Sequence, residues 1–550
     1  MDGETPGRGK TPSKQEKSPG ERTVKKLLGR RRPNSSPFKS KKRSSTPKTE
    51  NPATNKVYSQ TPSTIAEAQE IGEIARLNDD MVWALDGLES TSKSAREESL
   101  GNLVELLGSR RGRALLHRDG VVGDLMRRLC QLEFADHPEL ALGTASIFCM
   151  STVSGHLEIF EDMPALGLLD RILMFNSVVA GSSHLVQSVR KFLADPRICR
   201  LIPKEISSVP ACICLACLAF SLRPSEDRDS TEEKKSLSKS GSLLIIVKIA
   251  MQESFALNDP RPTMKTVQGL WKLERCLSIL EQACFACQEN EEHLARLEVE
   301  SGVPPLLSKL PFVQWLTMQV KVLSGQNLSP EGLKKECYRG FLGLLMNITE
   351  GNEGACKALL QSDGIEALCN ALARLVFGCT DSGRETNLDS FKAWIDEISA
   401  SLGVLINIVE AEPTALDKIK AITLQRGDSS TVSSTILEIV AKLFNLCSKE
   451  ENDPITSTND NEVTLESLRD SEGQAMGSII GAYSGILLGF LVVNDPEACA
   501  QAKCMLSSDS LRPLIGVIQK CFAFYRNVGA LTPKTEASLQ GLLVQLESQI

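Results

Sequence analysis

The chain contains 550 residues, of which 41% are hydrophobic but only 5% aromatic. Its apolar content comes mainly from Leu, Ile, Ala and Val, whereas strand-rich folds use more Tyr, Trp and Thr. The composition therefore favours an all-α fold, and the length leaves room for several ordinary domains or one repeat array.

The net charge of −7 hides an uneven distribution. Residues 1–60 carry 16 Lys or Arg and 5 Asp or Glu, so the remainder is strongly acidic. Residues 1–63 are also rich in Pro, Ser and Thr and lack apolar periodicity, which predicts a disordered basic tail. Such a tail suits nuclear import or weak DNA contact, and the acidic body suits basic partners.

A helix-forming pattern begins at Thr64, which with Glu67 forms a capping-box pattern. We interpret Asp79 and Asp80 as the start of a second helix. Its predicted inward-facing residues are Met81, Val82, Leu85 and Leu88. The same periodicity continues to the C-terminus and predicts one helical domain without strands over residues 64–550.

Internal similarity makes the fold class more specific. The segment Gly343–Glu350 (GLLMNITE) is echoed by Gly403–Glu410 (GVLINIVE), with a fainter copy at Leu443–Leu446. The Asn residues of the three copies are Asn347, Asn407 and Asn445. Their separation fits HEAT or armadillo repeats of about 40–47 residues with an insertion. We therefore predict a HEAT/armadillo-like solenoid in which these Asn side chains bind helix ends between repeats.

Three polar segments, residues 224–240, 379–389 and 449–470, are predicted to be loops. The segment Gly473–Asn494 is uncharged and has Gly at every fourth position from Gly477 to Gly489, so a membrane span is one interpretation. Ser and Gln in its first half and the lack of basic flanks favour the alternative, a tightly packed core helix. We expect no membrane association.

No pattern of catalytic residues accompanies these helices. The five His are scattered, and neither a nucleophile elbow nor a phosphate-binding glycine loop is present. Cys212, Cys214 and Cys217 lie in an apolar run, and Cys284 with Cys287 forms a CxxC without a second pair. We interpret these thiols as core residues, zinc being the alternative, and expect a non-enzymatic protein that needs no cofactor.

The tail carries three kinds of short motif. Two basic clusters are candidate nuclear import signals: Arg30, Arg31 and Arg32, and Lys41, Lys42 and Arg43. Thr11 and Ser36 each precede Pro, with Lys three residues after the hydroxyl, as proline-directed kinases prefer. The third motif is Lys56-Val-Tyr-Ser-Gln, which contains Lys56, Tyr58 and Ser59.

Four blocks in the predicted helical region resemble the WAPL (wings apart-like) family of cohesin-release factors. They are Asp79–Leu88, Leu344–Glu350, Ser401–Glu410 and Ala482–Gly489, in the family's order. In that family the last block is similar to a buried helix of the HEAT array. The resemblance thus extends across most of the region after the tail.

The resemblance implies that the chain binds cohesin together with a HEAT-type accessory subunit, the Pds-type regulator. It would promote opening of the gate between one SMC ATPase head and the kleisin, so that DNA leaves the ring in the nucleus. A protein of this kind hydrolyses no ATP and acts by binding one state of the ring more tightly than another.

The resemblance also indicates candidate partner-binding residues. Animal members carry a Lys-Thr-Tyr-Ser-Arg motif that docks on the Pds-type partner. Here Lys56, Tyr58 and Ser59 match that motif, but Gln60 replaces Arg, and the family's Phe-Gly-Phe repeats are missing from this sequence.

Asp79, Asp80 and Asp86 are candidate contacts to a basic partner surface, with helix capping as the alternative. Two other function classes stay open: a general HEAT or armadillo scaffold adaptor, and a chromatin protein that binds DNA through its tail.

We predict that neutralising both basic clusters, Arg30 to Arg32 and Lys41 to Arg43, abolishes nuclear accumulation of a fluorescent fusion. The reason is that import receptors bind such clusters through their positive charge. A fusion that stays fully nuclear after both changes would place the import signal elsewhere.

Overall fold

The computed structural model describes most of the chain after the tail. The described residues are 64–118, 120–223, 228–259, 263–300, 309–326, 328, 332–380, 394–425, 433–448, 465–506, 510–527 and 532–550. The predicted tail of residues 1–63, with its import, phosphorylation and Lys-x-Tyr-Ser motifs, lies outside them. Contacts divide the described chain into two compact units, with the boundary between Ala367 and Leu368.

The first unit consists of helices joined by short connections. Its α-helices are α1 Ile65–Leu88, α2 Lys93–Gly108, α3 Arg110–Arg113, α4 Val121–Leu129, α5 Pro138–Val153, α6 Met163–Leu173, α7 His184–Leu193, α8 Pro196–Cys199, α9 Pro210–Ser221, α10 Thr231–Ser240, α11 Ser242–Glu253, α12 Met264–Cys284, α13 Gln288–Ala295, α14 Phe312–Ser324, α15 Leu333–Thr349 and α16 Glu353–Leu360. The boundary between the units falls within α17, Gly364–Thr380.

Five long helices of the first unit form its central row: α2, α5, α9, α12 and α15. Each of them packs against the next along the chain. Helices α5 and α9 are buried on all sides, as their nearly continuous apolar sequences require. Helices such as α7, α11 and α14 cover the row by packing on one or two of its members. This successive stacking confirms the predicted all-α helical-repeat fold.

Close approach within the row depends on small residues. A Cβ atom on Gly340 of α15 would lie 2.9 Å from the Cβ of Leu277 on α12, so any larger side chain would push the two helices apart. A Cβ on Gly143 of α5 would similarly lie 2.6 Å from Cδ2 of Leu100 on α2. Backbones at these crossings are therefore nearer than ordinary side chains allow.

Two of the three repeat Asn residues bind helix ends, as predicted. The Asn347 side-chain amide donates to the carbonyl of Glu281, near the end of α12, at 3.1 Å. In the second unit the Asn445 amide donates to the carbonyl of Met505, the last residue of a helix, at 2.7 Å. The last carbonyls of a helix have no partner inside it, and Asn445 satisfies one of these. The Glu281 carbonyl also accepts from the backbone amide of Phe285 at 2.9 Å, so Asn347 adds a second hydrogen bond there.

The second unit contains α18 Ile395–Ala411, α19 Ala415–Ala421, α20 Ile436–Ser448, α21 Leu465–Val492, α22 Pro496–Met505, α23 Arg512–Asn527 and α24 Pro533–Glu547. Helix α21 holds the glycine series and packs against α18, α20 and α23. Cβ atoms on Gly485 and Gly489 would lie 3.3 Å from Phe444 and 3.2 Å from Leu542. These glycines therefore lie at tight contacts with neighbouring helices, in agreement with the core-helix interpretation.

A search of the described helices for membrane spans finds no single helix long and apolar enough to cross a bilayer. The bent pair Thr231–Ser240 and Ser242–Asn258 meets the criteria by length and composition only.

Two details of the predicted fold are wrong. The chain was expected to form no strands, but β1 Glu298–Glu300 pairs antiparallel with β2 Lys309–Pro311, and β3 Thr423–Gln425 with β4 Ser433–Thr435. Three-residue strands in connections between helices are too short to leave a period-two signal in the sequence.

The second correction concerns residues 224–240, predicted as a loop but containing helix α10. Its charged residues Glu233 and Lys234 are buried because each has a partner. Glu233 pairs with Arg228, and the Lys234 ammonium donates to the carbonyl of Phe285 at 2.7 Å. Similarly, α21 begins within the predicted loop 449–470. The third predicted loop, 379–389, lies outside the described residues beyond Thr380.

Candidate partner-binding surface on helix α1

Helix α1 begins where the sequence indicates. The backbone amide of Glu67 donates to Oγ1 of Thr64 at 3.1 Å, and the amide of Thr64 donates to Oε2 of Glu67 at 3.2 Å. This reciprocal pair is the predicted capping box, and it satisfies two amides of the first turn.

The predicted helix start at Asp79 and Asp80 is wrong, because α1 continues through both residues to Leu88. Aspartate in a helix interior costs only about 0.7 kcal/mol relative to Ala, which is less than the gain from burying one leucine. This part of α1 packs against α2 and α4 through buried residues, which are Met81, Ala84, Leu85 and Leu88. The two aspartates therefore have no capping role.

The inward face of α1 is only partly as predicted. Met81, Leu85 and Leu88 are buried, whereas Val82 is 57% exposed. The helical period of 3.6 residues explains the difference. Met81, Leu85 and Leu88 lie on one face together with Ala84, whereas Val82 is rotated about 100° away from that face.

The outer face of α1 carries side chains that have no partner among the described residues. Asp79 and Asp80 are exposed, and no hydrogen bond or ion pair joins either to a described group. Trp83 is 66% exposed and lies four and three residues after them, so all three project from one face. By contrast, Trp271 and Trp315 are buried. We call Asp79, Asp80 and Trp83 the acidic–indole face.

Asp86 has a different environment from Asp79 and Asp80. Its carboxylate pairs with the Arg128 guanidinium of α4 at 3.3 Å, and Glu89 pairs with the same group at 2.9 Å. Arg128 also donates to the carbonyl of Leu85 at 3.2 Å and pairs with Asp124 at 3.2 Å. One guanidinium thus connects the C-terminal end of α1 with α4, which gives Asp86 a structural role.

Two further arginines bind the same helix. Arg111 pairs with Glu73, and Arg118 donates to the side-chain oxygen of Asn78. With Arg128, three arginines from the following segments bind side chains of α1. The structure therefore distinguishes Asp86, which is bound by Arg128, from Asp79 and Asp80, which pair with no described residue.

Arg128 also affects the ionisation of Asp124. Burial acts to raise the pKa of Asp124, but the hydrogen bonds and charges of Arg127 and Arg128 outweigh it and hold the pKa below its usual value. A carboxylate of lowered pKa stabilises the fold fully above its usual pKa. That contribution is lost as pH falls through the lowered pKa.

Sequence reasoning missed Trp83 as a candidate. The available signal was its spacing of four and three residues from the acidic pair, which places it beside them on a helix. Reading the aspartates as a helix start removed that signal, because Trp83 would then have lain in a first turn.

The predicted core thiols are confirmed for Cys212, Cys214 and Cys217, all buried. Burial raises the pKa of Cys212 to about 12. A hydrogen bond with Cys217, followed by burial, raises the pKa of Cys149. The thiols of Cys149 and Cys212 therefore stay neutral and serve as small hydrophobic groups. In the part of the chain that the structure describes, no group of three or more His, Cys, Asp or Glu is arranged to hold a metal ion.

A cleft of about 330 Å³ lies beside α4 and is lined by His117, His156, Glu158 and Asp162, among others. The two imidazole rings are 4.7 Å apart, and Nδ1 of His156 lies 2.9 Å from Oε1 of Glu158. Asp162 uses its carboxylate to cap α6 through the amide of Ala165 at 3.1 Å. His156 and Glu158 thus pair with each other and Asp162 caps a helix, while Nε2 of His156 is buried without a hydrogen-bond partner among the described residues.

The described residues define an all-α helical-repeat protein. A family model described as "Wings apart-like protein regulation of heterochromatin" matches residues 62–415. The chain therefore belongs to the WAPL family, as the four sequence blocks indicate.

Curated relatives are similar at low identity. Wings apart-like protein 2 of Arabidopsis thaliana is 24% identical over 330 residues, covering 48% of this chain and 38% of the relative. Wings apart-like protein 1 of the same plant is 21% identical, covering 39% and 24%. The Wings apart-like protein homolog of Homo sapiens is 24% identical, covering 54% and 26%. The chain thus matches well under half the length of these relatives.

Solved structures are similar only at low scores. One comes from work on a phosphorylation switch that controls the interaction between cadherin and beta-catenin, with 14% identity, 89% of each chain covered and a TM-score of 0.34. Another is Uso1-1, with 10% identity, 88% of this chain and 74% of that chain covered, and a TM-score of 0.28.

We predict that Arg128→Leu lowers the free energy of unfolding by about 1–3 kcal/mol. The substitution removes the ion pairs with Asp86 and Glu89 and the hydrogen bond to the carbonyl of Leu85. Hydrogen exchange of the α1 amides after Met81 should rise accordingly. Arg127→Leu is the matched control: this neighbouring arginine is 64% exposed and pairs only with Asp124, so its loss should cost less than about 1 kcal/mol. Equal effects of the two substitutions would contradict the structural role of Arg128.

Proposed function

We propose that this chain is a non-enzymatic regulator that releases cohesin from chromatin. Together with a Pds-type HEAT partner it would bind cohesin and promote opening of the gate between an SMC ATPase head and the kleisin, so that DNA leaves the ring. The observation that carries the proposal is the WAPL family match over residues 62–415, which spans the first compact unit and enters the second.

The chemistry of the described residues supports a binding role. The residues after 60 are acidic overall, and α1 presents beside an exposed indole two carboxylates that pair with no described residue. Groups of this kind attract a basic protein surface by charge complementarity. A release factor that only binds must prefer the open state of the ring, because a ligand shifts an equilibrium by its difference in affinity for the two states.

We infer separate roles for the tail. Lys56, Tyr58 and Ser59 would dock on the Pds-type partner, the two basic clusters would direct the chain to the nucleus, and phosphorylation of Thr11 or Ser36 would reduce the tail's positive charge. Weak DNA contact through the same basic residues stays a prediction, and a steep loss of affinity with added salt would identify it.

We predict that the double substitution Asp79→Asn and Asp80→Asn lengthens the residence of cohesin on chromatin, measured by fluorescence recovery of a labelled cohesin subunit. Each exposed ion pair contributes about 0.2–1 kcal/mol, so the loss of two should weaken binding to a basic partner surface by about two- to thirtyfold. Folding should be unchanged, because Asn and Asp have similar helix propensities at exposed interior positions.

The control for that experiment is Asp417→Asn with Glu497→Gln, which removes the same charge from two exposed positions of the second unit. Normal cohesin residence in the Asp79 and Asp80 variant would remove these residues from the release surface. Normal residence in cells that carry only residues 1–63 would overturn the release function itself.

We predict that Tyr58→Ala weakens binding to the Pds-type partner about tenfold, or 1.4 kcal/mol, in calorimetry. A short anchoring segment often concentrates its binding energy in one aromatic side chain. The fold should be unaffected, because Tyr58 precedes the capping box of α1. An unchanged affinity would assign the docking role to another segment.

A further inference from the structure

We propose that the acidic–indole face of α1 recognises an arginine side chain on an extended segment of a partner protein. The guanidinium would lie over the indole of Trp83 while Asp79 and Asp80 bind its N–H groups. This inference rests on the proposed function, because it names the chemistry that the Asp79–Asp80 surface would recognise on its partner.

The exposure of Trp83 is the first argument. A side chain of this size that is 66% exposed leaves much apolar area in water, and among the described residues no aromatic ring, cation or hydrogen-bond partner contacts it. Trp271 shows the contrasting arrangement, since the guanidinium of Arg275 lies 5.2 Å from its ring centroid. The Trp83 ring therefore has a π-face that no described residue is shown to occupy.

Charge is the second argument, and it selects a cation. Residues three and four positions apart on a helix have Cβ atoms about 5–6 Å apart, which brings the carboxylates of Asp79 and Asp80 to the border of the indole. A cation over the ring then interacts with the ring quadrupole and with both carboxylates. Anionic or purely apolar occupants would leave two carboxylates without compensation.

Arginine fits this surface better than lysine. The planar guanidinium stacks on an aromatic face while its N–H fork still reaches carboxylates, whereas an ammonium is a compact and strongly hydrated charge. Helix α1 already uses this chemistry internally, because Arg111, Arg118 and Arg128 bind its side chains Glu73, Asn78 and Asp86. Asp79 and Asp80, by contrast, have no arginine bound to them among the described residues.

One residue opposes the ligand. Arg76 is exposed and lies three and four positions before the aspartates, so its charge repels a bound guanidinium. Arg76→Gln should therefore tighten binding, whereas the loss of either aspartate should weaken it. A general change in folding would alter the peptide affinity in the same direction in all these variants, so opposite changes would indicate a direct effect of charge.

The test uses the full chain labelled with 5-fluorotryptophan, with the Trp83 fluorine resonance assigned by its absence in Trp83→Leu. The probe is a synthetic peptide of alternating Gly and Arg, compared with peptides that carry Lys or citrulline in place of Arg. Near-physiological salt suppresses non-specific attraction. We expect the Arg peptide to shift the Trp83 resonance to saturation, the Lys peptide to bind more weakly, and the citrulline peptide to have no effect.

Variants then separate the contributions. Trp83→Leu keeps an apolar side chain but removes the π-face, so peptide affinity measured by calorimetry should fall about two- to fivefold. Asp79→Asn with Asp80→Asn should lower it about two- to thirtyfold. The charge-matched pair Asp417→Asn and Glu497→Gln should change it by less than about twofold, which excludes an effect of net charge alone.

Three outcomes would overturn the inference. They are equal binding of the citrulline peptide, unchanged affinity in Trp83→Leu, and a Trp83 resonance that moves on deletion of residues 1–60 before any peptide is added. The last result would make the chain's own tail the occupant. Failure of the proposed function is separate: arginine binding with normal cohesin residence in the aspartate variant would keep the recognition chemistry and remove its role in release.

Discussion

A helix that is apolar on every side can be stable only while its neighbours cover it, and this constraint governs the first unit. Helices α5 and α9 have no water-facing stripe, so each depends on the previous and the following member of the central row. Gly143 allows close approach of α5 to α2, and Gly340 allows close approach of α15 to α12. Stability in such a stack is largely a sum of nearest-neighbour contacts, and the surfaces left over are free for binding.

Two features with a local or a repeated sequence signal were predicted correctly. The capping box of Thr64 and Glu67 involves two side chains one turn apart. Asn347 and Asn445 bind carbonyls 66 and 60 residues away, but their roles follow from the internal repeats. Helix α10 was missed because Glu233 and Lys234 look too polar for a core. Their partners include Phe285, about fifty residues later, and a single sequence gives no sign of that contact.

The candidate surface shows the same limit. Asp79, Asp80 and Asp86 are chemically alike and close in sequence, yet only Asp86 has an arginine partner, supplied by α4 from 42 residues away. The local pattern did not show that α1 continues through Asp79 and Asp80, because acidic residues often lie in the first turn of a helix. The burial of Met81 and Leu85, which keeps the helix intact there, is visible only in the structure. Trp83 became a candidate only when the structure showed that its side chain is exposed and lies beside the two aspartates.

The buried thiols give the central row a property useful in its own right. The last four helices of the row each carry at least one: Cys149 on α5, Cys217 on α9, Cys276 on α12 and Cys337 on α15, while Cys504 in the second unit is exposed. A thiol inside a packed helix reacts with an alkylating reagent only when that helix opens, so its labelling rate measures a local opening equilibrium. The native cysteines therefore report the opening of each helix separately. Comparing their labelling rates would measure the cooperativity between adjacent helices.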